Sequence, residues 1–409
     1  MTHKQMLKGI KSVFQNLVGA NLPFHGKGFR ESGLNRTNVR PACSCTIKAP
    51  SPKLKLWESL IGKLLFLAGS IAVVSVTACR QDQGRETPAV FSAAVWNVQA
   101  LFDGEETGNE YGDYRGAAGW NGEKYAARLN ALSAAIPRLT GGGAPDLIAL
   151  VEIENLGILE DLARGPLAQS GYTEAFFANI PGSSLGLGFL SRFPLVSARV
   201  HSIRSSGGTA PRPVLEIRIE PQGKPLMVFL CHWKSKLGGE DATEAMRRAS
   251  ARIVRRRLAE ILRDEPLTPA IVMGDLNENY DEFYRRNTVC ALLPEEALGE
   301  AGSPEDCLIL SGEKPPRTRY ADGPVLYSPW GRELQGGSYY YKETWETIDH
   351  LLLNDAFFDG TGWDFESCRV VNETPFVNSR GYPGSYLSRT GQGLSDHLPL
   401  VLFLKEARN

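Results

Sequence analysis

The strongest constraint on the fold is a set of short runs that stay apolar residue after residue and then stop at a polar side chain. Val95-Trp96 stops at Asn97, Leu147–Val151 at Glu152, Leu226–Cys231 at His232 and Ala270–Gly274 at Asp275. Side chains on a strand alternate between faces, so a run with no polar position is a strand covered on both sides. Such strands call for a layered architecture, with helices or a second sheet over each face. In Ile271-Val272-Met273-Gly274-Asp275-Leu276-Asn277 the alternation also puts Asp275 and Asn277 on one side and turns Leu276 into the core. Gly274 lets the backbone bend where the run ends. Taken alone the stretch is equally a strand leading into a turn, since Gly, Asp and Asn are turn residues.

Segments with helical spacing lie between the runs. Glu123–Leu139 has apolar Tyr125, Leu129, Leu132 and Ile136, and Leu156–Gln169 and Asp281–Leu293 read as shorter helices. Gly186–Arg192, Pro194–Ile203 and Val214–Ile219 are further strands, and Ser338–Lys342 with Thr344–Leu353 reads as a hairpin. Helices alternate with strands early and hairpins follow, which predicts an α/β fold with mixed sheets in layers. The longest helix is Asp241–Leu262. Met246, Ala249, Ile253, Leu258 and Ile261 line one side of it, and Arg247, Arg248, Arg252, Arg255 and Arg256 crowd the other. That arginine side is either a solvated face or a patch for a phosphate backbone.

Net charge is −1, but 11 of the 45 basic residues and only two of the 46 acidic ones fall in residues 1–78, which leaves −10 on residues 79–409. An acidic body has no global attraction to polyanions, so binding of nucleic acid would rest on a local patch or on metal ions. Lys53, Lys55 and Lys63 precede the uncharged, mostly apolar Leu64–Cys79, the size of a signal-peptide core and short for a membrane span. Val76-Thr77-Ala78-Cys79 resembles the lipobox of bacterial lipoproteins. The resemblance implies a signal peptide over 53–79, a lipid on Cys79, a polar tether over 80–88 and a globular domain over 89–409. Arg80 after the cysteine implies an exported lipoprotein at the outer membrane, the cell surface or the periplasmic face. Residues 1–52 lack a period and read as disordered or as an artefact of start-site choice. Cys43-x-Cys45 has neither the spacing nor the partners of a zinc site. Cys290 and Cys307 either pair, as exported cysteines can, or stay as buried thiols.

Asn97, Glu152, His232, Asp275, Asn277, Asp349, Asp396 and His397 each end or adjoin an apolar strand, where α/β folds place their sites. Two histidines, four acids and two amides suit a hard cation, a phosphate and acid–base chemistry. Over residues 90–405 the chain resembles the endonuclease/exonuclease/phosphatase, or DNase I-like, superfamily. The resemblance rests on Trp96-Asn97-Val98, Val151-Glu152, His232-Trp233-Lys234-Ser235, Gly274-Asp275-Leu276-Asn277, Thr347-Ile348-Asp349-His350 and Ser395-Asp396-His397-Leu398-Pro399, in the family's order. It implies a four-layer α/β sandwich of two packed mixed sheets flanked by helices. It further implies that Asn97 and Glu152 hold Mg²⁺, or else Mn²⁺ or Ca²⁺, with Asp396 nearby. Asp275 and Asn277 would serve the attacking water or the phosphate, His397 would pair with Asp349, and His232 would face the phosphate or leaving oxygen. Lys234 and Arg248 are expected substrate contacts.

Gln99 and Thr347-Ile348-Asp349-His350 depart from the abasic-site endonucleases and the inositol polyphosphate 5-phosphatases of the superfamily. His232-Trp233-Lys234-Ser235-Lys236, the arginine-rich helix and Leu190-Ser191-Arg192-Phe193-Pro194 look more like its secreted bacterial nucleases. The expected activity is therefore metal-dependent phosphoester hydrolysis, with nucleic acid as substrate and little sequence preference. A phosphatase or a sphingomyelinase-like lipid phosphodiesterase is the alternative, suggested by Tyr339, Tyr340, Tyr341, Trp330 and Trp345. A binding module on a dead catalytic fold would need losses at the eight positions, and they are intact. No feature calls for a protein partner.

Overall fold

The structure is a computed structural model that describes residues 90–203, 212–301, 304–316 and 323–407. The signal, lipidation and tether expectations for residues 1–88 lie outside these. Among the described residues, with strands numbered along the chain, one six-stranded sheet runs β15 (Trp363–Val370), β16 (Leu400–Glu406), β1 (Val90–Leu101), β2 (Leu147–Ile153), β4 (Gly186–Ser191), β3 (Glu174–Ala178). An eight-stranded sheet runs β5 (Leu195–His201), β6 (Val214–Ile219), β7 (Leu226–His232), β8 (Ala270–Asp275), β14 (Asp349–Leu353), β11 (Val325–Tyr327), β10 (Leu308–Ser311), β9 (Leu292–Pro294). Both are mixed: β1 with β2 and β7 with β8 are parallel, while β16 and β14 pair antiparallel to β1 and β8.

Strand alternation builds the layers. Ala93, Val95, Ala149 and Val151 of one sheet share a buried cluster with Val228, Leu230, Ile271 and Met273 of the other, so these faces pack against each other. The intervening Ala94, Trp96, Ile148 and Leu150 join Leu129 and Leu132 of helix α1 (Gly122–Ala135) and Ile158 and Leu162 of α2 (Leu156–Arg164). On the far side Met227, Phe229, Ala270 and Val272 meet Ala251, Val254 and Leu258 of α3 (Glu240–Asp264). Each of these large apolar side chains contributes about 1.5–3 kcal/mol by leaving water. Apolar residues on both strand faces thus produce the expected helix–sheet–sheet–helix sandwich. Asn121 and Asn155 start α1 and α2 by accepting the Lys124 and Ile158 amide N–H groups.

Three expectations are corrected. Helix α4 covers only Glu282–Arg286, because Asn287 turns left-handed, and the following residues enter β9 instead of extending a helix to Leu293. The hairpin is short, β12 (Tyr339–Tyr341) against β13 (Thr344–Glu346), while Asp349–Leu353 leaves it for the large sheet. The arginine side of α3 is solvated only in part: Arg252 and Arg256 are exposed, but Arg247 is enclosed with Glu278 and Glu244, and Arg255 donates to the Cys307 carbonyl. Cys290 and Cys307 are free buried thiols.

Candidate active site

The apolar runs all stop at one edge of the sandwich. In the eight-stranded sheet His232, Asp275 and Asp349 lie side by side across β7, β8 and β14. They continue the alternation of Leu230, Met273 and Leu351, so they point into the space between the sheets where the apolar core gives out. Asn97 continues Ala93 and Val95 from the opposite sheet, and its Nδ2 donates to Asp275 Oδ2 at 3.1 Å across the gap. Asn97, His232, Asp275, Asp349 and His397 are only 2–6% exposed, so their charges are largely stripped of water. Gly274 is required beside this row: its φ is +138°, and a Cβ there would stand 1.8 Å from the Cys231 carbonyl oxygen.

Glu152 reaches the site through a bulge. Val151 faces the inter-sheet core and Ile153 the helices, which strict alternation forbids, and Glu152 between them has φ of +66°. A second distortion faces it on β1, where Gln99 and Ala100 both have φ of +53°. The two interlock: the Ala100 N–H donates to Glu152 Oε2 at 2.9 Å, and the Gln99 N–H to Asn97 Oδ1 at 2.9 Å. Arg128 of α1 holds the β1 distortion, donating to the carbonyls of Val98, Gln99 and Ala100, with its guanidinium 3.7 Å from the centre of the Tyr386 ring. Nothing in the helical pattern marks Arg128, which reads as one more polar position on an amphipathic helix.

The histidines carry opposite charge states. His397 Nδ1 lies 2.8 Å from Asp349 Oδ2, and Ser338 Oγ donates to the same oxygen at 2.6 Å. Burial opposes a charged ring, but Asp349, with Asp396 and Asp275 behind it, holds the His397 pKa well above the usual value. Trp96 Nε1 and Trp330 Nε1 donate to the His397 and Asp349 carbonyls and brace the pair from both sides. Burial, then Arg212, His397 and Lys234, drive the His232 pKa far down, so this ring is neutral. Its Nε2 accepts from Arg212 Nη1 at 2.8 Å, and the carboxylates of Glu152 and Asp275 at 3.7 and 3.6 Å are beyond hydrogen-bond length. Arg212 was not anticipated, since it follows an irregular segment and belongs to none of the motifs.

Asp275 is raised by burial and then by Asp349 and Glu152, against the pull of His397 and Asn97; Asp396 is raised by burial and then by Glu152. The surplus of negative charge fits a divalent cation. Asp275, Asp349 and His397 offer ligand atoms within 4.8 Å of one another, but the charged ring of His397 is already committed to Asp349. The oxygen atoms of Glu152 and Asp396 are the better match to a hard cation; Asn97 would add its oxygen only with the amide turned over, since its Nδ2 donates to Glu152 Oε1 at 3.2 Å as well as to Asp275. Asn277 closes the row with φ of +52°, its N–H on Asp275 Oδ1 and its amide on the Trp233 carbonyl. Lys234 donates to Ser235 Oγ and the Leu237 carbonyl, close enough to Arg212 to be acidified by it after burial. Arg248 is ion-paired with Asp306 at 2.7 Å, so its charge is already matched within the fold.

The model of the endonuclease/exonuclease/phosphatase family matches residues 92–292, a span that includes Asn97, Glu152, His232, Asp275 and Asn277. Residues 92–292 belong to the endonuclease/exonuclease/phosphatase family. The family's members are phosphoester hydrolases and generally depend on divalent metals. Solved structures similar to this family member include truncated Caenorhabditis elegans TDP2, at 14% identity over 77% of this chain and 97% of that one, with a TM-score of 0.47. The Bacteroides vulgatus endonuclease/exonuclease/phosphatase is similar at 14% identity over 77% and 98%, with a TM-score of 0.46. The human Nocturnin catalytic domain with bound sulfate anion is similar at 16% identity over 78% and 93%, also with a TM-score of 0.46. No curated protein matches the chain.

Proposed function

We propose that this family member is a metal-dependent phosphodiesterase that cleaves nucleic acid with little sequence preference by in-line attack of water on phosphorus. The observation that carries the reading is Asp275, a buried carboxylate of raised basicity set between neutral His232 and cationic His397. Glu152 and Asn97, with Asp396 nearby, would hold Mg²⁺. Bound there, the cation supplies positive charge for the phosphoryl oxygens. Asp275 takes a proton from the attacking water, and Asn277 fixes the carboxylate through its backbone N–H. His397 gives its proton to the departing oxygen while Asp349 keeps the ring oriented. Arg212, held in place by the neutral His232 ring that accepts its Nη1–H, would face the remaining phosphoryl oxygens.

Export and a lipid on Cys79 belong to the same proposal, supported by the lysine-flanked apolar run and Val76-Thr77-Ala78-Cys79. Incubation with plasmid, single-stranded DNA, RNA, sphingomyelin and a phosphomonoester, with Mg²⁺ or Mn²⁺, tests the activity. Degradation of nucleic acid is expected, and release of phosphocholine or inorganic phosphate alone would replace this reading by the lipid phosphodiesterase or phosphatase one. Mass spectrometry of the membrane-extracted protein tests the anchor. An acylated N-terminal Cys79 is expected, and an unmodified soluble form would refute it.

A further inference from the structure

The hairpin of β12 and β13 has one face tied down and one left open beside the catalytic histidine. On the tied face Tyr340 stacks on Tyr382, with ring centres 3.9 Å apart, and Trp345 packs against both. Alternation sends Tyr339 and Tyr341 to the other face. Tyr339 stacks on His397 at 4.6 Å, Tyr341 continues the series 6.1 Å further at an interplanar angle of 18°, and Tyr341 is 50% exposed. The Lys342 amine lies 5.2 Å from the Tyr341 ring centre. The root of the hairpin is fixed to the catalytic pair, because Ser338 donates to Asp349 and its carbonyl accepts the Leu398 N–H. A ladder of rings therefore runs from His397 to solvent and ends in the half-exposed Tyr341, with the Lys342 amine over its ring.

We infer that Tyr341 is a stacking subsite for an unpaired nucleobase next to the scissile phosphate, so that the enzyme favours single-stranded or frayed substrates; this rests on the nuclease reading above. A base within a duplex has both faces covered by its neighbours, whereas an unpaired base offers a free face to an aromatic ring. Tyr341 is the ring of this series that reaches solvent, and Lys342 adds positive charge where the backbone would leave the site. The stacked series is what favours a base over a lipid chain, which gains nothing from parallel rings.

The test is a cycle on the full-length protein with two labelled single-stranded oligonucleotides, one normal and one carrying abasic residues beside the cleavage position. Tyr341→Ala is expected to raise KM for the normal strand about 5- to 140-fold. Tyr341→Phe should restore the wild-type value. Wild type should lose a similar factor on the abasic strand, and the two losses should not add. Additive losses, no loss in Tyr341→Ala, or loss of binding to phosphatidylcholine and sphingomyelin vesicles with oligonucleotide cleavage intact would each overturn the inference. Wild type that cleaves no nucleic acid would sink it together with the nuclease reading, which distinguishes the two failures.

Discussion

Replacing Asp275 with asparagine is expected to stabilise the metal-free protein above neutral pH while abolishing hydrolysis. Burial, with Asp349 and Glu152 adding to it, lifts this carboxyl from 3.8 to about 7. Between those values the folded protein binds more protons at this position than the unfolded chain, so wild type loses stability as pH rises through the window. Each pKa unit corresponds to about 1.4 kcal/mol, which makes the charged side chain cost on the order of 4 kcal/mol above pH 7. Asparagine carries no such charge, although its amide group would meet the Asn97 Nδ2 donor at a cost of about 1–3 kcal/mol. The variant should therefore be more stable at pH 8 by roughly 1–3 kcal/mol, or about 2–6 °C in Tm. Most of the window lies above pH 5, so the gap should grow by about 3 kcal/mol between pH 5 and pH 8. Thermal and urea unfolding in EDTA at both pH values measures it. A gap that does not change with pH, or a variant that falls further below wild type as pH rises, would refute the charge-burial reasoning.

The rate profile should be bell-shaped in kcat/KM, rising as Asp275 deprotonates and falling as His397 loses its proton above the usual histidine value. Asp349→Asn removes the partner that most raises His397 and should move the falling limb to lower pH. Arg128→Leu leaves the Val98, Gln99 and Ala100 carbonyls without their donor and should cost about 2–4 kcal/mol in urea unfolding. Because that distortion holds Glu152, calorimetric affinity for Mn²⁺ should also fall, by about tenfold or more. Gly274→Ala places a methyl group against the Cys231 carbonyl and should cost more than about 4 kcal/mol or prevent folding, read by soluble yield and urea midpoint.

The layers and the site edge were legible because one rule, alternation along a strand, governs both. Runs such as Leu226–Cys231 announce burial on both faces, and His232 simply occupies the next inward position. What stayed hidden breaks the rule or reverses a polarity expectation. Glu152 was expected at the site, but the bulge that carries it there is one that no periodicity reveals. Arg128, Arg247 and Arg255 look solvated on a helical wheel, yet each is buried because carbonyls or carboxylates from other segments of the chain meet it. Arg212 enters from an irregular segment, so only the fold brings it to His232. The expected helix to Leu293 failed at Asn287, whose left-handed backbone ends it, and Glu244 and Glu278 then accept the Ala291 and Leu292 N–H groups.

The central claim is that the carboxylates at the sandwich edge hold a divalent cation that serves hydrolysis of a phosphodiester. Cleavage of a single-stranded oligonucleotide by the EDTA-treated protein, titrated with Mg²⁺, tests it directly when wild type, Glu152→Gln and His397→Ala are run in parallel. Wild type should be inactive in EDTA and recover with Mg²⁺; Glu152→Gln should need far more Mg²⁺ or fail to recover, and His397→Ala should stay inactive at any concentration. Cleavage that persists in EDTA, or that survives both substitutions, would contradict the account.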